Sequence, residues 1–224
     1  MIITIDGPAA SGKSSIARMT AEALNFYYLN TGLLYRAFTY ILINEHGYTQ
    51  KSLTAVKEED ITQCADIKRI VYSYTQQDGS LVFYDNKNIT PFLKDPLIDQ
   101  AVSIISPQKL VRQALSDLQR AIAQDHNVVV EGRDVGSVVF PHADYKFFLT
   151  ASLEVRAQRW RSYQQEQGNS YSLEQVKKLV EQRDINDRSR KISPLIIPDG
   201  ALTIDNSNLT LQESVQEILK YSKK

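Results

Sequence analysis

At 224 residues, 42% of them hydrophobic, the chain is sized for one globular α/β domain with small insertions and is too short for two independent enzymatic domains. Its 26 basic and 26 acidic residues cancel, which argues against a nucleic-acid surface and leaves any anion-binding charge to be local. A single cysteine excludes an internal disulfide, no apolar run is long enough for a bilayer, and no signal peptide fits ahead of a strand that begins at residue 2. The expectation is a cytoplasmic protein that touches neither membrane nor nucleic acid.

The first predicted strand is the β-branched run Ile2 to Ile5, and a helix over Ser15 to Leu24 follows, with Ile16, Met19, Ala23 and Leu24 at helical spacing. Between them lies GPAASGKS, Gly7 to Ser14, which fits GxxxxGK[ST]. In that pattern successive backbone N–H groups of a glycine-rich loop curl around a phosphate at a helix N-terminus. The predicted ATP cradle is Gly7, Pro8, Ala9, Ala10, Ser11, Gly12, Lys13, Ser14 and Ser15. Lys13 is expected to reach the β- and γ-phosphates, and the Ser14 hydroxyl to ligate Mg²⁺. A plain Gly-Pro turn before a helix would leave Lys13 unexplained.

Further buried strands are predicted over Phe26 to Leu29, Asn127 to Val130, Tyr145 to Leu149 and Ala201 to Ile204, separated by helical segments. Such alternation implies a parallel sheet covered on both faces, with ligands at the carboxyl ends of its strands. Two stretches break the rhythm. One, about 67 to 99, reads as a small antiparallel excursion with a tight turn near Asp85-Asn86 and the breakers Pro91 and Pro96. It is a candidate flap for the phosphoryl acceptor. The other, about 156 to 190, is a charge-rich helical hairpin with a polar tip, QQEQGNS, and six arginines, as a lid over phosphates would be.

The strand ends carry arginines. NTGLLYR follows the second strand and EGRDVG the third, so Arg36 and Arg133 are candidates for a second phosphate, since guanidinium forks match phosphate oxygens bidentately. Surface ion pairing is the alternative use of both. On the hairpin's second helix Arg183, Asp187 and Arg190 fall on one face, a pattern ordinary helix-surface ion pairs also produce. Cys64, among Ile61, Ala65 and Ile67, reads as a small buried hydrophobe; His46, His126 and His142 have no ligand spacing for a structural zinc.

Taken together, ITIDGPAASGKSS, LNTGLLYRA, AVSIISPQKLVRQAL, VVVEGRDVGSVVFPHADYKFFLTAS and QRDINDRSR resemble, in order and spacing, the bacterial cytidylate kinases, P-loop nucleoside monophosphate kinases acting on CMP and dCMP. The resemblance implies a single P-loop NTPase domain over 1–224. It would have a central five-stranded parallel sheet flanked by helices, an NMP-binding insertion near 67–99 and a helical lid near 156–190. It further implies that Arg36 and Arg133 hold the CMP phosphate and that Ser103, Arg112 and Asp134 read the cytosine. Arg183, Asp187 and Arg190 would hold the sugar and neighbouring base edge, and Thr31 and Tyr35 would line the acceptor site. Lys13, Arg133 and Arg159 would surround the transferring phosphoryl group. The implied substrates are MgATP and CMP or dCMP, handled by a monomer. This chain has Asn30, Ser137 and His142 where Asp, Thr and an acidic or amide residue are usual. An Asp at position 30 would help hold a water of the Mg²⁺ shell, whereas either residue would shape the turn before Thr31. A kinase for another nucleotide, or a nucleotide-dependent binding module, remains the alternative.

Overall fold

The computed structural model describes residues 1–222. Its principal sheet has five strands in the order β2-β6-β1-β7-β8. The strands are β1 (Ile2–Asp6), β2 (Tyr27–Asn30), β6 (Val128–Gly132), β7 (Tyr145–Thr150) and β8 (Leu202–Asp205), each within two residues of its predicted position. The chain divides into two compact units, one formed by Met1–Phe26 with the chain from Val128 onward, the other by Tyr27–Asn127.

In the first unit β1 pairs in parallel with β6 on one side and β7 on the other, and β7 pairs in parallel with β8. Helices cover both faces of such a sheet, so its strands need apolar side chains pointing both ways. Ile3, Ile5, Val128, Val129, Val130 and Leu149 are all fully buried. The register sets Ile5 opposite Glu131 and Asp6 opposite Gly132, which places two carboxylates at the carboxyl ends of adjacent strands. Helix α1 (Lys13–Leu24) starts two residues earlier than predicted because Gly12, at φ 88°, caps it directly. It ends at Asn25, left-handed at φ 54°, whose N–H returns to Ala21 and Glu22. Helix α8 (Leu211–Ser222) packs against α1.

The predicted lid is a hairpin of α6 (Leu153–Glu166) and α7 (Leu173–Ser189), with Gly168 at φ 80° in the turn. Ser152 caps α6, and Ser172 with Gln175 forms a capping box on α7. An apolar seam of Ala157, Val176 and Val180, flanked by Trp160 and Tyr171, joins the helices to each other and to Ala9. Beside this seam the hairpin also buries Arg156, Asp184 and Asp187.

In the second unit α2 (Thr31–Asn44) buries Leu34, Phe38, Ile41 and Leu42 completely. Around that face the unit also carries α3 (Glu58–Cys64), α4 (Pro96–Ile105), α5 (Lys109–Ala123) and the antiparallel sheet of β3 (Ile70–Thr75), β4 (Gly79–Tyr84) and β5 (Lys87–Asn88). Asp85 and Asn86, at φ 47° and 65°, make the two-residue β4–β5 turn, the doubly left-handed form a tight hairpin requires. Along β3, Ile70, Tyr72 and Tyr74 face inward. The Tyr72 hydroxyl accepts from Asn30 N–H and lies within hydrogen-bond distance of the Tyr28 carbonyl and the Ser80 hydroxyl. Cys64 is buried, and burial pushes its thiol up to about 12, so it behaves as the small hydrophobe predicted.

Candidate active site

The glycine-rich loop closes on itself. Gly7 passes so close to β7 that a Cβ there would lie 2.0 Å from the Leu149 carbonyl oxygen, which excludes any side chain. Lys13 Nζ donates to the Pro8 carbonyl at 2.7 Å and to Ser11 Oγ at 3.4 Å. Burial, and after it the charge of Arg133, pull the ammonium down to about 7, with Arg183 acting in the same direction and Glu131 and Asp187 opposing. A buried ammonium among arginines is poised to receive an anion.

Two side-chain clamps hold the loop from outside. Ala9 N–H donates to Asp184 Oδ1 at 2.9 Å, Arg156 Nη1 donates to Asp184 Oδ2 at 2.5 Å, and the same Nη1 reaches the Ala9 carbonyl at 2.9 Å. Asn206 Nδ2 donates to the Ser11 carbonyl at 2.9 Å, while Arg159 donates to Asn206 Oδ1 and to its backbone carbonyl at 3.0 and 2.8 Å. With these backbone groups of Ala9 and Ser11 tied outward, the protein itself holds the loop in shape. Arg156, one of the six arginines of the predicted hairpin, is a buried anchor, and Arg159 is engaged at Asn206.

At the carboxyl end of β6, Glu131 accepts from the Ser14 hydroxyl at 2.9 Å. A hydroxyl and a carboxylate side by side are the hard oxygen donors that suit Mg²⁺ carrying phosphate oxygens and waters as its remaining ligands. Among the described residues no group of three or more His, Cys, Asp or Glu could hold a metal ion by itself, so these two would hold one together with the nucleotide.

After Gly132 the chain carries Arg133 and Asp134 into a single π-type turn over Val135–Val139. Arg133 Nε donates to Asp187 Oδ2 at 2.9 Å, and Arg190 pairs with the other oxygen of the same carboxylate. Burial works to raise the Asp187 carboxyl, but Arg133, Arg190 and Arg183 outweigh it and hold it below the ordinary carboxylate range. Asp134 is buried at the head of the turn. Asp6 accepts from Val135 N–H and Gly136 N–H at 2.8 and 2.7 Å, and burial pushes its carboxyl up to about 7 against those two bonds. Lys13, Ser14, Arg133, Asp134, Arg183, Asp187 and Arg190 thus all belong to the first unit, and Lys13, Arg133, Arg183 and Asp187 lie within electrostatic reach of one another.

The remaining predicted residues belong to the second unit. Thr31 opens α2 and is buried, and Tyr35, one turn on, lies under the Arg112 guanidinium, 5.6 Å from its centroid. Arg112 Nη1 donates to the Ser106 carbonyl at 3.0 Å. Arg36 pairs with Asp99 through Nε and Nη2 at 2.8 and 2.7 Å, the ion pairing weighed as its alternative use. Ser103 is exposed on α4, where its hydroxyl donates back to the Gln100 carbonyl. Asn30 caps α2 by accepting from Leu33 N–H at 3.0 Å.

The family profile of cytidylate kinase matches residues 3–224. The chain is 40% identical over 222 residues to a cytidylate kinase of Caldanaerobacter subterraneus subsp. tengcongensis, covering 99% of this chain and 94% of that one. It is 41% identical over 218 residues to a cytidylate kinase of Thermotoga neapolitana, covering 97% and 94%. The chain belongs to the cytidylate kinase family. Among solved structures, an uncharacterized protein from Eubacterium ventriosum shares the fold, with a TM-score of 0.51 at 11% identity over 100% of this chain and 99% of that one.

Four residues that build the site in this member of the family went unassigned in the sequence: Asp6, Glu131, Asp184 and Asn206. Asp6 and Glu131 had a legible signal, as carboxylates ending otherwise apolar strands beside a phosphate loop. Asp184 and Asn206 had none, because their partners Ala9 and Ser11 lie 175 and 195 positions away.

Proposed function

We propose that the protein transfers the γ-phosphoryl group of MgATP to CMP or dCMP, giving ADP and CDP or dCDP. Family membership supports the reaction, and the observation that carries its chemistry is the buried Lys13 ammonium at the mouth of a preformed phosphate loop, with Arg133 and Arg183 near enough to depress it.

The acceptor oxygen belongs to a phosphate that is already anionic, so no general base is required; the protein's task is positioning and charge stabilisation. Backbone N–H groups of the Gly7 to Ser15 loop, apart from that of Ala9, which is given to Asp184, cradle the donor phosphates, and Lys13 swings from the Pro8 carbonyl onto them. Ser14 and Glu131 would hold the Mg²⁺ that accompanies ATP, which would supply positive charge to the donor phosphates. Arg133 and Arg36 anchor the CMP phosphate, and Arg183 and Arg190 add positive charge along the acceptor, with Asp187 fixing the orientation of Arg133 and Arg190. Arg159 joins the phosphates when the α6–α7 hairpin closes as a lid, leaving Asn206. The antiparallel sheet near 67–99 serves as the NMP-binding insertion.

Cytosine offers an N4 amino donor with N3 and O2 acceptors, which suits a carboxylate such as Asp134 and a guanidinium such as Arg112, with Ser103 supplying a hydroxyl. Uracil reverses that pattern at N3 and position 4, leaving buried polar groups unpaired, and such groups reject a near-isostere strongly. Thr31 and Tyr35 line the acceptor. The same reading makes the protein a monomeric, cytoplasmic enzyme; its single, buried thiol suits a reducing compartment. A coupled assay of ADP release across the common nucleoside monophosphates tests the proposal: CMP and dCMP should be the preferred acceptors.

A further inference from the structure

Asp6 does more than end a strand. Its two oxygens accept from two consecutive backbone N–H groups, Oδ1 from Val135 at 2.8 Å and Oδ2 from Gly136 at 2.7 Å. Those residues open the π-type turn headed by Asp134, whose own carbonyl accepts from Val138 and Val139 at 2.9 and 3.3 Å. Asp134 sits at φ −144°, ψ 20°, outside both helix and strand geometry. Gly136 seats against the strand so closely that a Cβ would lie 2.7 Å from Thr4 Oγ1 and 3.0 Å from Asp6 Oδ2. Asp6 is fully buried, and the next residue is Gly7 of the phosphate loop. One side chain therefore fastens the turn that presents Asp134 to the strand that feeds the ATP cradle.

We propose that Asp6 is a positioning residue for acceptor recognition: by holding Val135 and Gly136 it fixes Asp134, and through Asp134 it sets the preference for cytosine over uracil. The inference rests on the proposed reading of Asp134 as a contact of the base. A carboxylate is the side chain suited to this place, because it offers two acceptors and no donor. An asparagine there satisfies one N–H and turns its own amide N–H₂ toward the other, leaving buried donors face to face.

The test is Asp6→Asn, with kcat and KM measured for CMP, UMP and ATP and with Tm recorded, alongside Asp134→Asn and the double variant. The expected result is a fall on the order of tenfold in the CMP to UMP ratio of kcat/KM, carried by KM for CMP, the scale produced by a small misplacement of a recognition group. KM for ATP should stay within about twofold, and the double variant should discriminate no worse than Asp134→Asn alone, since both changes act through one contact. A folded Asp6→Asn protein with an unchanged ratio, or a double variant whose losses simply add, overturns the inference. Should Asp6→Asn fail to fold, Gly136→Ala displaces the same turn from Thr4 and Asp6 and should lose the same discrimination; an unchanged ratio there overturns it equally. A wild-type protein inactive on CMP would instead overturn the functional reading on which the inference rests.

Discussion

Asp187 takes Arg133 on one carboxylate oxygen, at 2.9 Å, and Arg190 on the other, so that one buried acid neutralises two of the arginines assigned to the acceptor. Asp187→Asn keeps the shape and removes the charge that balances them. The variant should lose about 2 to 4 kcal/mol of stability, because removing one partner of a buried pair leaves uncompensated charge. The Asp187 carboxyl is held below its ordinary value of 3.8. Its stabilisation is therefore present above that value and is lost as pH falls through the lower folded one, so the variant should show a flatter acid limb in Tm against pH. An equal Tm and an identical acid limb would remove Asp187 from this role.

Lys13→Met should abolish turnover while stabilising the fold in the absence of nucleotide. The ammonium is buried and depressed from 10.5 to about 7, so the free protein bears the cost of its charge below pH 7 and is relieved of it as pH rises toward 10.5. The variant's Tm should exceed wild type on the order of 5 °C at pH 7, taking about 1 to 2 kcal/mol of relieved burial and about 2 to 4 °C per kcal/mol. The gap should close by about pH 10. A Tm below wild type at pH 7 would contradict this account of Lys13.

The depressed ammonium also predicts proton uptake when ATP binds. Near neutral pH it is partly deprotonated, and the arriving phosphates favour its charged form. Calorimetric titration of ATP in buffers of different ionisation enthalpy should show net uptake at pH 7.5 in the wild type and a smaller uptake in Lys13→Met. Identical slopes for the two proteins would mean that the lysine does not change its proton on binding.

Asp134→Asn should narrow the gap between CMP and UMP, since an amide can turn its N–H₂ toward uracil O4 where a carboxylate can only repel it. The expected loss of discrimination is about 1 to 3 kcal/mol, the scale of a good base contact. An unchanged ratio of kcat/KM would mean that cytosine is read elsewhere.

Position 30 separates two readings of one residue. The bond from Leu33 N–H to Asn30 Oδ1 commits the side chain to capping α2. Asn30→Ala should accordingly cost about 1 kcal/mol, and Asn30→Asp, which caps equally well, should leave Tm nearly unchanged. Mg²⁺ titrations at saturating ATP and CMP should superimpose for the wild type and Asn30→Asp; a lower half-saturating Mg²⁺ concentration in the variant would restore the metal-shell role.

The five principal strands were legible because parallel strands covered on both faces need continuous apolar runs, which Ile2 to Ile5 and Val128 to Val130 supply. The phosphate loop was legible because its function demands residue types in fixed order, Gly12 and Lys13 above all. What the sequence hid were the supports. Arg156 looked like its hairpin neighbours, yet it is buried against Asp184 and Ala9, and burial of a charge depends on a partner that only the fold brings near. Arg36 and Arg133 show the same limit from the other side. Their placement at strand ends was readable, but their pairing with Asp99 and Asp187 was not.

The central claim is phosphoryl transfer from MgATP to a cytosine nucleotide, and initial rates of ADP release with CMP, dCMP, UMP, AMP and GMP at one fixed MgATP concentration test it most directly. The account predicts rapid release with CMP or dCMP, at least about tenfold slower release with UMP given the expected scale of a base contact, and near-background release with the purine nucleotides. Equal rates for all five, or ADP release that no acceptor stimulates, would contradict it.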